Sequence, residues 1–361
     1  MKKHLIRAVI ILAAAAILVS AAVIAVVRRY HSQEGLRFVK HLGYGINLGN
    51  SLDVYGAAEY LDDPSVEDFE TFWHNPPISE KLLKSIKAEG FRTVRIPVSW
   101  GEHMDEAGKV DKAWMKRVDK VVRKSLDLGL NVILDAHHEP WLELKDNKES
   151  DARFAFLWEQ IAVQFADCGE ELLFESVNEP RLRDSSLEWS GGSPELRAGV
   201  ERLNRIFTDT VRSVEGNESR WLLVPTYCNR PEKEAMTALT LPDKRCIASI
   251  HIYEPYDFCQ KTKGDDEWNP GGSDAENLLK TFEQIEQLLV RRNIPVIITE
   301  CGCVDKHNEA DRILWVQTLR KGADRCGTVC LWWDNGDEYQ LLDRKTGKVR
   351  FSRLLRAFLK G

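Results

Sequence analysis

The sequence predicts an α/β protein built as one (β/α)8 TIM barrel. After residue 40, short apolar runs alternate with amphipathic segments, and eight runs and eight segments follow one another in strict order. No change in composition marks a second domain. Such a barrel takes about 250 residues, so the chain of 361 residues is long enough for it. An open doubly wound sheet has the same local pattern, and the count of eight favours the closed barrel.

The predicted strands are aliphatic or β-branched runs without strict alternation, which is typical of parallel strands buried on both faces. They cover residues 44–49, 93–98, 131–137, 172–178, 221–226, 247–253, 295–300 and 328–333.

Segments with helical periodicity separate these strands. They cover residues 79–90, 111–129, 152–166, 193–214, 231–239, 275–293, 309–323 and 352–359. Ser79, Asp111 and Ser193 stand where helix N-caps belong, and several segments end at Gly or Asn.

The beginning of the chain differs from the rest. Residues 8–27 are uncharged, mostly apolar and flanked by basic residues, and they are numerous enough to cross a bilayer as a helix. Signal-peptide cores run about 7–15 residues, so the length favours an uncleaved anchor, with cleavage near 20–22 as the alternative. We predict a signal peptide or signal anchor over 1–30, a short linker over 31–40 and the barrel domain over 41–361. The barrel is expected outside the cell, either secreted or anchored to the membrane through this helix.

The charge and the cysteine content of the chain limit the kinds of partner that it is expected to bind. The formal net charge is −6, and no block rich in Lys or Arg follows residue 40, so we expect no nucleic-acid partner and a neutral or weakly charged ligand. The eight cysteines are dispersed without zinc-ligand spacing, which favours buried thiols with one or two disulfide bridges at most. We expect a monomer without metal or cofactor.

Polar side chains accumulate at the carboxyl ends of the predicted strands, where TIM barrels carry their functional groups. In chain order they are Arg95, Asp135, His137, His138, Glu139, Asn178, Glu179, His251, Tyr253, Glu300, Trp332, Trp333 and Asp334. The barrel topology predicts that these side chains converge at one mouth.

Glu179 and Glu300 are the candidates for chemistry at this mouth. One protonated and one ionised carboxyl group on opposite walls can cleave a glycosidic bond, and a separation of about 5–5.5 Å is expected of a retaining enzyme. The fourth and seventh strands lie almost across the barrel, close enough for this distance. Arg95 is expected to keep Glu300 charged, while the less compensated Glu179 holds its proton longer.

Each motif alone has a structural alternative. The NEP tripeptide around Glu179 could be a helix N-terminus, Glu300 could be a solvated acid at a strand end, and Arg95 could form a structural ion pair. The pair His137 and His138 more often completes a hydrogen-bond network than binds a metal. Their occurrence together at the ends of different strands is what favours a functional site.

Tryptophans divide into two groups. Trp333 is predicted to be a platform for a sugar ring, whereas the role of the other loop tryptophans stays open; these are Trp73, Trp100, Trp141 and Trp268. Tryptophans on predicted helices are expected in the core, namely Trp114, Trp158 and Trp315.

Together the motifs resemble glycoside hydrolase family 5, specifically its endoglucanase and xyloglucanase-like branch. They span residues 43–336 in the family's order and read GYGINLGNSLD, GFRTVRIPVSW, NVILDAHHEPW, FESVNEP, HIYEP, IPVIITECG and LWWDNG. One departure is Cys301, because family members often carry an aromatic residue directly after the nucleophile.

The resemblance implies a barrel that hydrolyses internal β-1,4 bonds with retention and without a metal. It implies Glu179 as acid/base, Glu300 as nucleophile and Asn178 as the partner of the sugar 2-hydroxyl. The supporting residues it implies are Arg95 to hold the charge of the nucleophile, Tyr253 to orient it, His137 and His251 in the polar floor, and Trp333 as a stacking platform. His138 and Asn50 are predicted as further supporting residues.

Three hypotheses follow. The first is a retaining endo-β-1,4-glucanase acting on cellulose, mixed-linkage glucan or xyloglucan, with mannan or xylan as alternative substrates of the same mechanism. The second is a metal-dependent barrel hydrolase that uses Asp135, His137, His138, His251 and Glu300. The third is a noncatalytic carbohydrate-binding barrel, which would need no pair of acids with separated pKa values.

Overall fold

The computed structural model describes residues 34–360 and contains a closed barrel of eight parallel strands in the order β1 to β8. The strands are β1 (Gly45–Leu48), β2 (Thr93–Ile96), β3 (Asn131–Asp135), β4 (Leu172–Glu175), β5 (Leu222–Pro225), β6 (Cys246–Ile252), β7 (Val296–Cys301) and β8 (Cys330–Asp334). Each strand pairs with the next, and β8 pairs with β1. The predicted (β/α)8 barrel is confirmed.

Helices surround the barrel, and most of them lie between consecutive strands. They are α1 (34–42), α2 (Val66–Thr71), α3 (Glu80–Glu89), α4 (Lys112–Asp127), α5 (Lys148–Gln164), α6 (Pro194–Ser213), α7 (Lys233–Ala238), α8 (Tyr256–Cys259), α9 (Ser273–Leu288), α10 (Glu309–Cys326) and α11 (Ser352–Lys360). The eight predicted helices are all present, and the short α1, α2 and α8 were not predicted.

Local signals explain where the long helices begin. The Ser79 side chain accepts a hydrogen bond from Leu82 N–H at 3.2 Å at the start of α3. Asp111 accepts two such bonds before α4 and Ser193 accepts one before α6, so the three predicted N-caps are confirmed. Each cap satisfies backbone N–H groups that a first helical turn leaves without a partner.

Helix α1 closes the amino-terminal end of the barrel, opposite the predicted site. Val39 and Leu42 are buried against the inward-facing residues at this end, and the Phe38 ring stacks on Trp221 with 4.7 Å between centroids. The predicted linker over 31–40 is therefore wrong for its described part, because these apolar side chains make the segment part of the barrel core.

The predicted signal or anchor segment over 1–30 lies outside the described residues. Within residues 34–360, no helix combines the length and the apolar character that crossing a bilayer requires.

None of the eight cysteines forms a disulfide bridge, and all eight lie within the described residues. Seven are buried and Cys168 is half-buried. The expected buried thiols are present, and none of the one or two bridges allowed by the prediction is formed.

Candidate active site

The loop after β4 presents Glu179 through an unusual backbone conformation. Strand β4 ends at Glu175, earlier than predicted, and Glu179 has φ 45°, in the left-handed region. Its N–H donates to Asn229 Oδ1 at 2.7 Å, and Asn229 is itself left-handed with φ 50°. Non-glycine residues adopt this conformation at a cost of about 1–3 kcal/mol and concentrate at functional sites.

Glu179 and Glu300 meet around His251 at the carboxyl end of the barrel. One carboxylate oxygen of each acid and one ring nitrogen of His251 lie within 4.8 Å of one another. His251 Nδ1 is 3.1 Å from Glu179 Oε1 and 3.5 Å from Glu300 Oε2. An irregularity in the β6–β7 register after Ile250 places His251 directly opposite Glu300. The acids are too close for an inverting pair, which needs about 6.5–9.5 Å.

Arg95 on β2 is a fully buried hub beneath these acids. Its guanidinium donates to Glu300 Oε1 at 2.7 Å and to Asn178 Oδ1 at 3.0 Å. The remaining acceptors are Glu175 Oε2 at 2.6 Å, Asn47 Oδ1 at 3.0 Å and Asp135 Oδ2 at 2.7 Å. These contacts match the five N–H donors of the side chain. One positive charge is thus divided among three carboxylates.

Two further contacts hold Glu300. The Tyr253 hydroxyl donates to Glu300 Oε2 at 2.9 Å. Behind the acid, the fully buried Cys301 packs against β8, with Sγ 3.4 Å from the Leu331 carbonyl oxygen. The departure from the family pattern therefore places a small thiol behind Glu300 without removing any of its polar contacts.

The protonation of the two acids differs from the prediction. Burial raises the pKa of Glu300 and outweighs the lowering by His251 and Arg95. Burial also acts to raise the pKa of Glu179, but the hydrogen bond and charge of His251, together with Arg181, lower it to about 2. The directions of these two pKa shifts are opposite to the predicted ones. Arg95 is shared by three carboxylates, and the approach of Arg181 to Glu179 was not predicted.

Trp333, His137 and His138 form one wall. The Trp333 ring is nearly parallel to that of His137, with 5.7 Å between centroids, and a Cβ at Gly49 would come within 2.5 Å of the indole. His137 Nδ1 is 2.7 Å from Asp135 Oδ2. Burial lowers the pKa of both imidazoles well below its usual value, which keeps them neutral.

Asn50 is not brought into the carboxylate network. It is left-handed with φ 56° at the end of β1, and its backbone N–H donates to Asp53 Oδ2 at 3.0 Å. Its contacts run through the backbone, and the turn it makes explains why the residue stands in the first motif.

The loop tryptophans separate by burial. Trp100 and Trp268 belong to the core, whereas Trp73 and Trp141 are half-buried near the mouth. The three helical tryptophans named above are fully buried, as predicted.

Glu179 stands between two cavities. One, of about 310 Å³, is lined by His137, Glu139 and Asn178 among others. The other, of about 420 Å³, is lined by Trp189, Tyr253 and Tyr256 among others. An extended chain crossing the mouth would pass from one cavity to the other beside Glu179.

Sequence reasoning missed several residues of the site. The exposed Trp189 covers the Arg181 guanidinium at 4.4 Å from the ring centroid, and Arg181 Nη1 lies 3.3 Å from Glu179 Oε2. A tryptophan in the long connection after the fourth strand was the available signal. Glu175 was missed as well, although an acid inside an apolar strand indicates a buried ion pair.

Two acids at this separation, at the carboxyl end of a closed (β/α)8 barrel, define a retaining glycoside hydrolase. Comparisons with known proteins give the particular family. Residues 54–339 match the model described as Cellulase (glycosyl hydrolase family 5). The chain belongs to glycosyl hydrolase family 5.

Three similar proteins match this chain over most of their length. Endoglucanase A of Ruminococcus albus is 37% identical over 329 residues, covering 86% of this chain and 88% of that protein. A broad-specificity GH5-4 endoglucanase from Ruminococcus champanellensis, solved with bound cellotriose, is 34% identical with a TM-score of 0.86, covering 90% of this chain and 98% of that one. XEG5A, a xyloglucan-specific endo-β-1,4-glucanase from a metagenomic library, is 31% identical with a TM-score of 0.83, covering 91% and 99%.

Proposed function

We propose that this glycoside hydrolase is a retaining endo-β-1,4-glucanase that cleaves β-glucans through a covalent glycosyl-enzyme intermediate. The observation that carries the proposal is the approach of Glu179 and Glu300 to within 4.8 Å around His251. An inverting enzyme needs a wider gap, because a water molecule must fit between the sugar and the second acid. The separation found here leaves no room for that water and suits direct attack on the sugar by a carboxylate.

In the first step, Glu300 attacks the anomeric carbon while Glu179 protonates the leaving oxygen. Glu300 is held by Arg95 and Tyr253 on its two oxygens, which fixes it for attack. Glu179 is ionised in the free site, so it needs a proton when the sugar is bound. His251 Nδ1, 3.1 Å from Glu179 Oε1, fixes the orientation of this carboxyl group. The proton that Glu179 gives to the leaving oxygen is regained from water in the second step.

In the second step, Glu179 acts as general base toward water. Formation of the ester removes the negative charge of Glu300, and loss of a neighbouring negative charge lowers the proton affinity of Glu179. The same carboxyl group therefore releases its proton in the first step and accepts one from water in the second.

Asn178 is positioned to bind the sugar being cleaved. Its amide oxygen accepts a hydrogen bond from Arg95 at 3.0 Å. This contact fixes the orientation of the amide and leaves its nitrogen as the donor for a ligand. We assign this nitrogen to the sugar 2-hydroxyl, a contact that strengthens in the transition state of glycoside cleavage. Trp333 and His137 supply the stacking wall of the same subsite.

Cellulose, mixed-linkage glucan and xyloglucan are the proposed substrates, in keeping with the cellotriose and xyloglucan in the names of similar structures. A panel of carboxymethylcellulose, barley glucan, xyloglucan, mannan and xylan, with sizing of the products, tests this. We expect mid-length fragments to appear early from the glucans. Release of mono- or disaccharides alone would contradict internal attack, and preferential cleavage of mannan or xylan would move the enzyme to the alternative substrate class.

Removal of metals distinguishes this mechanism from the metal-dependent alternative. In the structure Asp135 and Glu300 are already held by Arg95, so they do not act as free metal ligands. We expect full hydrolytic activity after exhaustive chelation with EDTA. Loss of activity that returns only on adding an ion would favour a metal-activated water.

Tyr253→Phe tests how the nucleophile is kept ionised. The Tyr253 hydrogen bond lowers the pKa of Glu300, so its loss raises that pKa, and Glu300 must be ionised to attack. The acidic limb of kcat/KM against pH should move to higher pH by about one unit, since a hydrogen bond to a charged group is worth about 1.5–3 kcal/mol. An unshifted acidic limb would contradict this role of Tyr253.

We propose that the barrel acts outside the cell, delivered by the apolar segment 8–27. The length of this segment and the insoluble or polymeric nature of the proposed substrates support this location. Expression of the full chain followed by fractionation tests it: activity should be found in the membrane fraction if the segment is retained, or in the medium if it is cleaved. Activity in the cytosolic fraction would contradict the proposal.

A further inference from the structure

A second group of potential metal ligands lies beside the carboxylate pair. One carboxylate oxygen of Asp53 and one ring nitrogen each of His137 and His138 lie within 4.8 Å of one another. Asp53 and His137 are buried and His138 is half-buried. The proposed hydrolysis uses His137 as part of the stacking wall, and it uses neither Asp53 nor His138.

The group is preorganised by contacts outside it. His137 Nδ1 bonds to Asp135 Oδ2 at 2.7 Å, which leaves Nε2 for an ion and reproduces the carboxylate–histidine arrangement common behind metal ligands. The Ser99 hydroxyl donates to the Asp53 carbonyl oxygen at 2.8 Å and accepts from His138 N–H at 3.3 Å. The backbones of Asp53 and His138 are thereby tied together.

Asp53 is oriented by backbone donors and not by a cation. Its two carboxylate oxygens accept from Ser51 N–H at 2.7 Å and Asn50 N–H at 3.0 Å, which leaves a lone pair on each. Between residues 34 and 360, no Lys or Arg side chain forms an ion pair or hydrogen bond with this carboxylate.

The three residues of the proposed catalytic centre form a similar group of potential metal ligands. Glu179, His251 and Glu300 also lie within 4.8 Å of one another, but Arg181 contacts Glu179 and Arg95 contacts Glu300. These arginines occupy carboxylate oxygens and repel a cation. In the second group no arginine contacts a ligand directly, although Arg95 binds Asp135 behind His137. Two imidazoles and one carboxylate suit Zn²⁺, Co²⁺ or Ni²⁺ better than Mg²⁺ or Ca²⁺.

We propose that Asp53, His137 and His138 bind a divalent transition-metal ion of the Zn²⁺ class, and that the bound ion competes with glucan for the cleft. The competition follows from the position of His137, whose ring lies parallel to Trp333 at 5.7 Å between centroids. An ion on His137 fixes that ring and occupies space beside the stacking platform. The ion-binding half of the proposal stands alone, and the competition half rests on the proposed function.

Co²⁺ added to untagged Glu300→Gln protein tests the ion-binding half, because visible absorption of Co²⁺ reports its ligands and needs no turnover. We expect one ion per chain with a nitrogen- and oxygen-type spectrum. Affinity should fall at least about tenfold in His138→Gln and in Asp53→Asn made in the same background. Unchanged affinity in both variants, or thiolate charge-transfer bands from the cysteines, would overturn the site.

Cellotriose tests the competition half on the same unmutated metal site. Saturation with cellotriose should raise the apparent dissociation constant for Co²⁺, and Zn²⁺ should inhibit wild-type hydrolysis competitively, with reversal by EDTA. Thermal melting of each variant shows whether it is folded. Independent binding of Co²⁺ and cellotriose would overturn the competition, while absence of cellotriose binding with normal Co²⁺ binding would count against the proposed function and not against the metal site.

Discussion

Glu300→Gln is expected to lower the rate of β-glucan hydrolysis by a factor of about 10⁴ or more, which is the loss seen when a catalytic nucleophile is deleted. Glutamine keeps the size of the side chain, and its one carbonyl oxygen can still accept from Arg95 while its NH2 group donates to the Tyr253 hydroxyl oxygen. It cannot form the glycosyl ester. The fold should be unaffected, because one of the three carboxylates that share Arg95 becomes neutral while Glu175 and Asp135 remain. Initial rates on barley glucan and thermal melting measure the two effects.

A matched control is Glu80→Gln on the surface of α3, where the acid pairs with the exposed Lys84. Its rate should equal that of the wild type. Residual activity of Glu300→Gln above about a hundredth of the wild-type rate would contradict the assignment, since loss of a supporting contact alone costs about that much.

Glu179→Gln separates the second acid from the first. Without a general acid, natural glucans should be cleaved about 10²–10⁴-fold more slowly. An aryl cellobioside with a good leaving group needs no protonation, so it should still form the intermediate and then stall, giving a burst. Glu300→Gln should give no burst with the same substrate.

Arg95→Met is expected to lower the free energy of unfolding by about 3–5 kcal/mol, because removing one partner leaves buried charges without compensation. Glu300, Glu175 and Asp135 would lose their shared cation. Loss of Arg95 also raises the pKa of Glu300, so the remaining activity should shift to higher pH. Urea unfolding and the pH profile of kcat/KM measure these changes.

Arg123→Met is the matched control for charge and shape. Arg123 pairs with Asp119 and Asp167 at the surface, with 38% of its side chain exposed. Exposed pairs are worth about 0–1 kcal/mol, so stability should change little. Equal losses from the two arginines would contradict the view that Arg95 is a buried electrostatic hub.

The sequence predicted the barrel because apolar runs and helical periodicity are local properties, and eight of each leave few topologies. It also predicted that Arg95, Glu179 and Glu300 meet, since parallel strands present their carboxyl ends at one edge. Strand β4 ends at Glu175 and not at residue 178 as predicted. The left-handed turn at Glu179 was not predicted either, because its N–H is held by the side chain of Asn229, far away in the chain.

Protonation could not be predicted in the same way. It depends on how many carboxylates share Arg95 and on how closely His251 and Arg181 approach Glu179, and a sequence does not give these distances. Helix α1 was not predicted for a related reason. In the sequence Val39 and Leu42 are isolated apolar residues, and only the folded barrel shows that they cover its end. The metal site combines residues from two motifs that sequence reasoning treated separately.

Peptide mapping of the intermediate tests the central claim most directly. Glu179→Gln protein incubated with the aryl cellobioside should carry one cellobiosyl group, located by mass spectrometry on the peptide that contains Glu300. An adduct on any other residue, or steady turnover with inverted product and no adduct, would contradict a mechanism in which these two acids share one sugar.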